Sequence, residues 1–285
     1  MTPFELAQPA SLHEALALLD PDDASVRPFS GGTALLLMMK AGVLRPRRLV
    51  SLDNTGLSGI RTGPAGELRI GAMTRLSDLE RSPIAKQGWP VIVRTLRTLA
   101  NVRVRNVATV GGHLAHADPH MDLPPLLSAL GARATVVGPA GTRTLAVEDI
   151  GTGYLETSLR RNELITALEV PPLGARRAAY LKCTTRSADD WPALGIAVVL
   201  QLEQEMVREA RLVLGAATDR PTRLAAAEKV LRGKALDANI LKRAGEAAAE
   251  EVSIESDLHG SAAYKKQLLR VYLARAIHEA RGQFH

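Results

Sequence analysis

Two double-glycine stretches are the places where this chain could hold a charged ligand: Ser30-Gly31-Gly32-Thr33 and Thr109-Val110-Gly111-Gly112-His113. Glycine has no Cβ, so its backbone can approach a ligand closely and enter conformations closed to other residues. Successive N–H groups in such a bend form a concave donor surface suited to phosphate oxygens. Two bends of this kind in one domain fit a ligand with two phosphates. A polar run follows the second bend, with His113, His116 and His120 interleaved with Asp118 and Asp122. Imidazole and carboxylate suit zinc or iron. The spacing matches no recognised ligand pattern, however, and Pro119 breaks any helix that would align the side chains. A polar loop without metal is the reading adopted. Lys182, taken alone, reads as a strand-end lysine paired with Asp189 or Asp190. The single cysteine, Cys183, reads as a small packed side chain, since nothing nearby in sequence activates it.

These residues need elements to position them. Residues 26–29 read as a strand running into the first bend, and 33–41 as a helix closed by Gly42. The bend therefore sits at a helix N-terminus, whose partial positive charge favours an anion. Neither glycine stretch fits G-x-G-x-x-G or a Walker loop, which disfavours a Rossmann or nucleotide-hydrolysing reading. Upstream, Ser11-Leu12-His13-Glu14 has capping-box spacing before a short amphipathic helix. Residues 49–52 and 67–70 are short β segments, and an apolar helix over 90–100 leads to the second bend. Residues 123–130 form a compact helix with Pro124 and Pro125 in its tolerant first turn. Gly138-Pro139-Ala140-Gly141 joins a hairpin of 132–137 and 142–147, and 163–170 is a further strand. Pro171-Pro172-Leu173-Gly174 reads as a domain boundary. Beyond it lie three β-rich runs (179–182, 193–202 and 208–216) and then three helices (221–231, 237–252 and 261–280).

Composition narrows the function classes. The 285 residues, 46% hydrophobic and 23% charged, suit a globular protein with ample core. The longest apolar run near the start, 34–39, is too short to span a bilayer. The opening Met1-Thr2-Pro3-Phe4-Glu5 lacks signal-peptide character, so the cytoplasm is the expected compartment. The net charge is +6, but only 3% of residues are aromatic and no recognition motif is present, which argues against nucleic acid. One cysteine excludes an intrachain disulfide and an iron–sulfur cluster held by this chain alone.

Phe29-Ser30-Gly31-Gly32-Thr33, Arg105-Asn106-x-Ala108-Thr109-x-Gly111-Gly112 and Ala117-Asp118-Pro119-x-x-Asp122, in this order and spacing, resemble the FAD-binding subunits of molybdenum hydroxylases. That family includes the medium subunit of aerobic carbon monoxide dehydrogenase and the flavin portion of xanthine dehydrogenase. The resemblance implies an α+β fold with a two-part FAD-binding domain over 1–173, its parts dividing near 55–60. A small domain over 174–285 would follow, a three-stranded antiparallel sheet plus a helical bundle. It implies FAD held by Pro28, Phe29, Ser30, Gly31, Gly32, Thr33, Ala34 and Leu35 around the pyrophosphate. The second stretch, Thr109, Val110, Gly111, Gly112 and His113, would join them. Asp122 would accept a ribityl or ribose hydroxyl, Leu99 and Ile165 would lie near the flavin ring, and Lys182 beside the isoalloxazine. The chain departs from the pattern at Ala34, where a polar residue is common.

The resemblance further implies an oxidoreductase component with no substrate base of its own. It would work in a hetero-oligomer with a molybdenum-cofactor large subunit and a 2Fe–2S small subunit, passing electrons from the clusters through FAD to an external acceptor. Two other readings stay open on sequence: a docking and assembly subunit with a degenerate flavin site, suggested by Ala34, and a free-standing NAD(P)H-dependent flavin reductase.

Overall fold

A strand–helix–strand unit opens the fold in the computed structural model, which describes residues 2–282. Its elements are β1 (Glu5–Ala7), α1 (Leu12–Leu18), β2 (Val26–Phe29), α2 (Leu35–Lys40) and β3 (Arg48–Ser51). The three strands are parallel in the order β1-β3-β2. Ser11 caps α1 by accepting from the Glu14 N–H, and the Glu14 carboxylate returns to the Ala10 N–H at 2.9 Å. The turn between β2 and α2 is the first glycine loop.

The second unit contains β4 (Ile60–Thr62), β5 (Leu68–Gly71), α3 (Leu76–Arg81), α4 (Pro83–Gly88), α5 (Pro90–Thr98), α6 (Val102–Arg105), α7 (Val110–His116) and α8 (Leu123–Leu130). It continues with β6 (Arg133–Gly138), β7 (Gly141–Ala146), β8 (Gly151–Gly153), β9 (Glu156–Thr157) and β10 (Leu164–Val170). Five strands pair antiparallel in the order β4-β5-β10-β6-β7, with the late strand β10 at the centre. Every residue of α8 is buried. A helix apolar on all sides must be covered on all sides, and α8 is: its own unit lies on one flank and the third unit's sheet on the other.

That third unit has β11 (Arg177–Cys183), β12 (Leu194–Glu203), β13 (Met206–Gly215), β14 (Thr222–Arg223), α9 (Ala225–Leu231), α10 (Ala238–Glu251) and α11 (Ala262–Gly282). Alternate strand residues point to opposite faces. Ala178, Ala197, Val199 and Val213 join the core around α8. Ala179, Ile196, Val198, Leu212 and Leu214 pack under α9–α11. The sheet has a fourth, two-residue strand where three were expected, because Thr222 and Arg223 pair with Leu214 and Val213. Among the described residues no helix is long and apolar enough to cross a membrane.

Candidate functional site

The two glycine stretches meet. A Cβ on Gly31 would lie 2.2 Å from the Val107 carbonyl oxygen and 2.8 Å from the Ala108 Cα, so only glycine lets the first loop sit against the backbone before α7. A Cβ on Gly112 would lie 2.5 Å from Ser30 Oγ. Thr109 Oγ1 donates to Ser30 Oγ at 3.2 Å and stitches the loops together. Gly32 takes φ +67°, and the Phe29 ring closes over the space a side chain there would need.

Their backbone donors differ. The second stretch is the first turn of α7, not the sharp bend read from sequence. The N–H groups of Val110 and Gly111 donate to the carbonyls of Thr74 (2.9 Å) and Ala72 (2.8 Å), and that of Gly112 to Thr109 Oγ1 (3.2 Å). Thr109 is thus a helix cap of the ordinary kind. In the first loop, by contrast, no N–H from Ser30 through Leu35 donates to another described residue. Ala34 stands at the N-cap of α2 and offers no side-chain acceptor, so these donors stay open. Residues 27–36 are partly exposed, forming a ledge rather than an enclosed cavity. The small concavity of ≈ 50 Å³ lined by Gly131, Arg176, Gln201 and Arg211 lies elsewhere.

A second focus lies at the start of α8. Asp122 is 4% exposed and does not cap its helix. Its carboxylate turns to β11, accepting from the Tyr180 hydroxyl at 2.7 Å and from Lys182 Nζ at 3.0 Å. Lys182 therefore does not pair with the Asp189 or Asp190 carboxylate. From Asp190 it takes only the backbone carbonyl, at 3.2 Å, while Arg186 holds the Asp190 side chain at 2.8 Å. Burial raises the Asp122 carboxyl above its ordinary range, against the pull of Lys182 and Tyr180. Burial and then the adjacent carboxylate push the Tyr180 phenol well up. Tyr180 escaped the sequence reading, although strand alternation puts it on the face of Lys182.

His113 is buried in α7, and its Nε2 has no hydrogen-bond partner. Burial, then His116, lower its pKa to about 3 against the pull of Asp118, so the ring is neutral near pH 7. Leu99 and Ile165 both lie in the core around α8, Leu99 at the end of α5 and Ile165 at a register shift between β10 and β6. Arg105, from the second motif, is structural: it donates to the Leu99 and Ala100 carbonyls and pairs with Glu80 at 2.9 Å. That fixes the chain just before Val107–Thr109, the backbone against which the first loop sits.

The chain as a whole resembles known proteins. Residues 2–173 match the family described as the FAD binding domain in molybdopterin dehydrogenase, and residues 179–280 the CO dehydrogenase flavoprotein C-terminal domain. The chain belongs to the FAD-binding subunits of the molybdenum hydroxylases. It is 31% identical to the glyceraldehyde dehydrogenase medium chain of Sulfolobus acidocaldarius, covering 97% of this chain and 98% of that one. It is 33% identical to the carbon monoxide dehydrogenase medium chain of Afipia carboxidovorans (98% and 97% covered). Among solved structures it superposes on carbon monoxide dehydrogenase from Hydrogenophaga pseudoflava with TM-score 0.94, at 34% identity and 99% coverage of both chains. Quinoline 2-oxidoreductase from Pseudomonas putida 86 gives TM-score 0.93, at 30% identity and coverage of 100% and 99%. The expected fold, an FAD-binding domain followed by a C-terminal domain, and the role of an oxidoreductase component with FAD as cofactor agree with these matches.

Proposed function

We propose that this flavin-binding subunit relays electrons. It would receive them from 2Fe–2S clusters on a small partner subunit, themselves supplied by a molybdenum-cofactor large subunit, and deliver them to an external acceptor. The observation that supports this reading best is the run of open N–H groups from Ser30 through Leu35, next to a helix start whose own donors are taken. A diphosphate needs several convergent donors, and this ledge offers them without displacing an internal bond. The residues present therefore fit FAD at its phosphates. Bound FAD supplies electron storage and transfer; the chain supplies position and electrostatics.

In this reading Pro28, Phe29 and Ser30 through Leu35 hold the diphosphate. Thr109, Val110, Gly111 and Gly112 shape the floor beneath it and fix Ser30, and His113 packs below them as a buried, neutral ring. Asp122 retains acceptor capacity on each oxygen for a ligand hydroxyl, since a carboxylate oxygen has two lone pairs. Leu99 and Ile165 supply apolar wall. Lys182, held by Asp122, places a cation where reduced, anionic flavin would gain from it. Ala34 does not make the site degenerate, because the donors there are backbone groups.

The test is the flavin content of the intact complex. One FAD per copy of this chain, seen in the absorbance spectrum, is expected. A colourless intact complex would overturn the reading in favour of docking and assembly. In the loaded complex, Lys182→Ala should lower the flavin potential, and an unchanged or higher potential in a redox titration counts against the lysine's role.

A further inference from the structure

Several elements of the C-terminal domain converge on one imidazole of the FAD domain. His120 lies in the loop between α7 and α8. Its Nδ1 is 2.9 Å from Asp118 Oδ1, while its Nε2 is buried, without a hydrogen-bond partner, and 3.6 Å from Asp257 Oδ2 in the loop between α10 and α11. Asp257 in turn holds the ammonium of Lys265, which is buried in α11 at 1% exposure. The Trp191 indole, from the segment joining β11 to β12, stacks on the His120 ring with centroids 5.3 Å apart and planes 11° apart. His259 tilts against the same ring at 5.5 Å. None of these groups has a part in holding FAD in the reading above.

A neutral imidazole that donates from Nδ1 to Asp118 leaves a lone pair on Nε2 facing a second carboxylate. That contact is repulsive. A proton on Nε2 converts it to a charge-assisted N–H···O contact, and the resulting cation lies against the face of an indole, which attracts it. Asp118 faces the ring from the FAD-domain side, with His116 4.0 Å from the other Asp118 oxygen. Asp257 and His259 face it from the other side, with Lys265 behind Asp257 and Asp190 adjoining Trp191. The seat of Trp191 matters for the cofactor region because the preceding residue, Asp190, supplies the carbonyl that Lys182 grips beside its bond to Asp122.

We propose that proton uptake by His120 closes a clasp between the domains, Asp118–His120–Asp257, which seats Trp191 and, through the Asp190 carbonyl, holds Lys182 on Asp122. His120 is a positioning residue in this scheme. Only the last link, Lys182 acting on the flavin, rests on the function proposed above.

The chain has two tryptophans, so full-length protein labelled with 5-fluorotryptophan gives two fluorine resonances. Trp191 is assigned by its loss in Trp191→Phe. Trp89, buried and donating to the Pro171 carbonyl at 2.8 Å, serves as reference and reports that each variant is folded. The Trp191 resonance should move in a single step as pH is lowered, with Trp89 unmoved. His120→Gln should abolish the step, His259→Gln should retain it, and Asp257→Asn should displace it to lower pH. A flat Trp191 resonance, or a step that survives His120→Gln, overturns the clasp. A second arm compares the flavin potential of the loaded complex with and without His120→Gln. A difference that exists below the step and vanishes above it supports the link to Lys182. Equal potentials at every pH, with the fluorine step intact, overturn that link while leaving FAD binding, tested by stoichiometry, untouched.

Discussion

Gly31-Gly32 and Gly111-Gly112 touch in the folded chain, yet they use the absence of a side chain in opposite ways. At the first pair Gly32 enters a left-handed conformation, and the N–H groups around it are left without internal acceptors. At the second pair φ is negative at both glycines, and their N–H groups are satisfied by Ala72 and Thr109. There glycine provides room: α7 starts so close to β5 and to Ser30 that a Cβ would intrude. A double glycine thus marks either an open donor surface or a close packing contact. Which one depends on what the neighbouring carbonyls do.

If α7 is closed interior, His113 gives the largest measurable effect. Its folded pKa of about 3 lies below the ordinary 6.5, so the unfolded chain takes up this proton first. The associated stability is complete above pH 6.5 and is lost as pH falls toward 3, by about 1.4 kcal/mol per pH unit. Urea unfolding across that window should give a flatter acid limb for His113→Gln than for the parent chain. Parallel limbs would mean that water reaches the ring, and the closed side of the comparison would fail.

The next effect separates the pairs directly. Gly31→Val drives a side chain into the Val107 and Ala108 backbone, which cannot swing aside; overpacking there should cost about 3 kcal/mol and take the flavin with it. Gly111→Ala meets Ala72 Cβ at 2.6 Å, so a stability loss of about 2 kcal/mol is expected. Its flavin affinity, measured by titration of the folded fraction, should fall less than that of Gly31→Val. The reverse ranking would assign the phosphate contact to the α7 side.

Much of this was legible in the sequence, and the reasons for the rest are physical. The path from β2 through the first loop into α2 follows from a strand, two glycines and a terminating Gly42. The helix α8 follows from its paired prolines and apolar run. Reading a bend at Gly111-Gly112 followed glycine's conformational freedom, and glycine also costs about 1 kcal/mol against alanine inside a helix. The contact with Ala72 overrides that preference, and no local pattern announces it. Asp122 and Lys182 were each singled out, but their pairing spans 60 positions, and spacing along the chain does not encode which two distant charges meet. The β1 strand, three residues long and paired among the described residues with β3 alone, is set by a parallel partner far along the chain.

The smallest effect probes the seam itself. Ser30→Ala removes the 3.2 Å bond from Thr109, a loss of roughly 1 kcal/mol for a partly exposed hydroxyl pair. Gly112→Ala is costly chiefly because its Cβ would press on the same Ser30 Oγ at 2.5 Å, with Thr109 Oγ1 next at 2.9 Å. Deleting that oxygen first should relieve part of the clash. The two substitutions should therefore be non-additive, the double variant being more stable than the sum of the singles predicts by about 0.5 kcal/mol or more. Strict additivity in a urea-denaturation cycle would mean that the loops move independently. The ledge and the helix beneath it would then be neighbours without being one site.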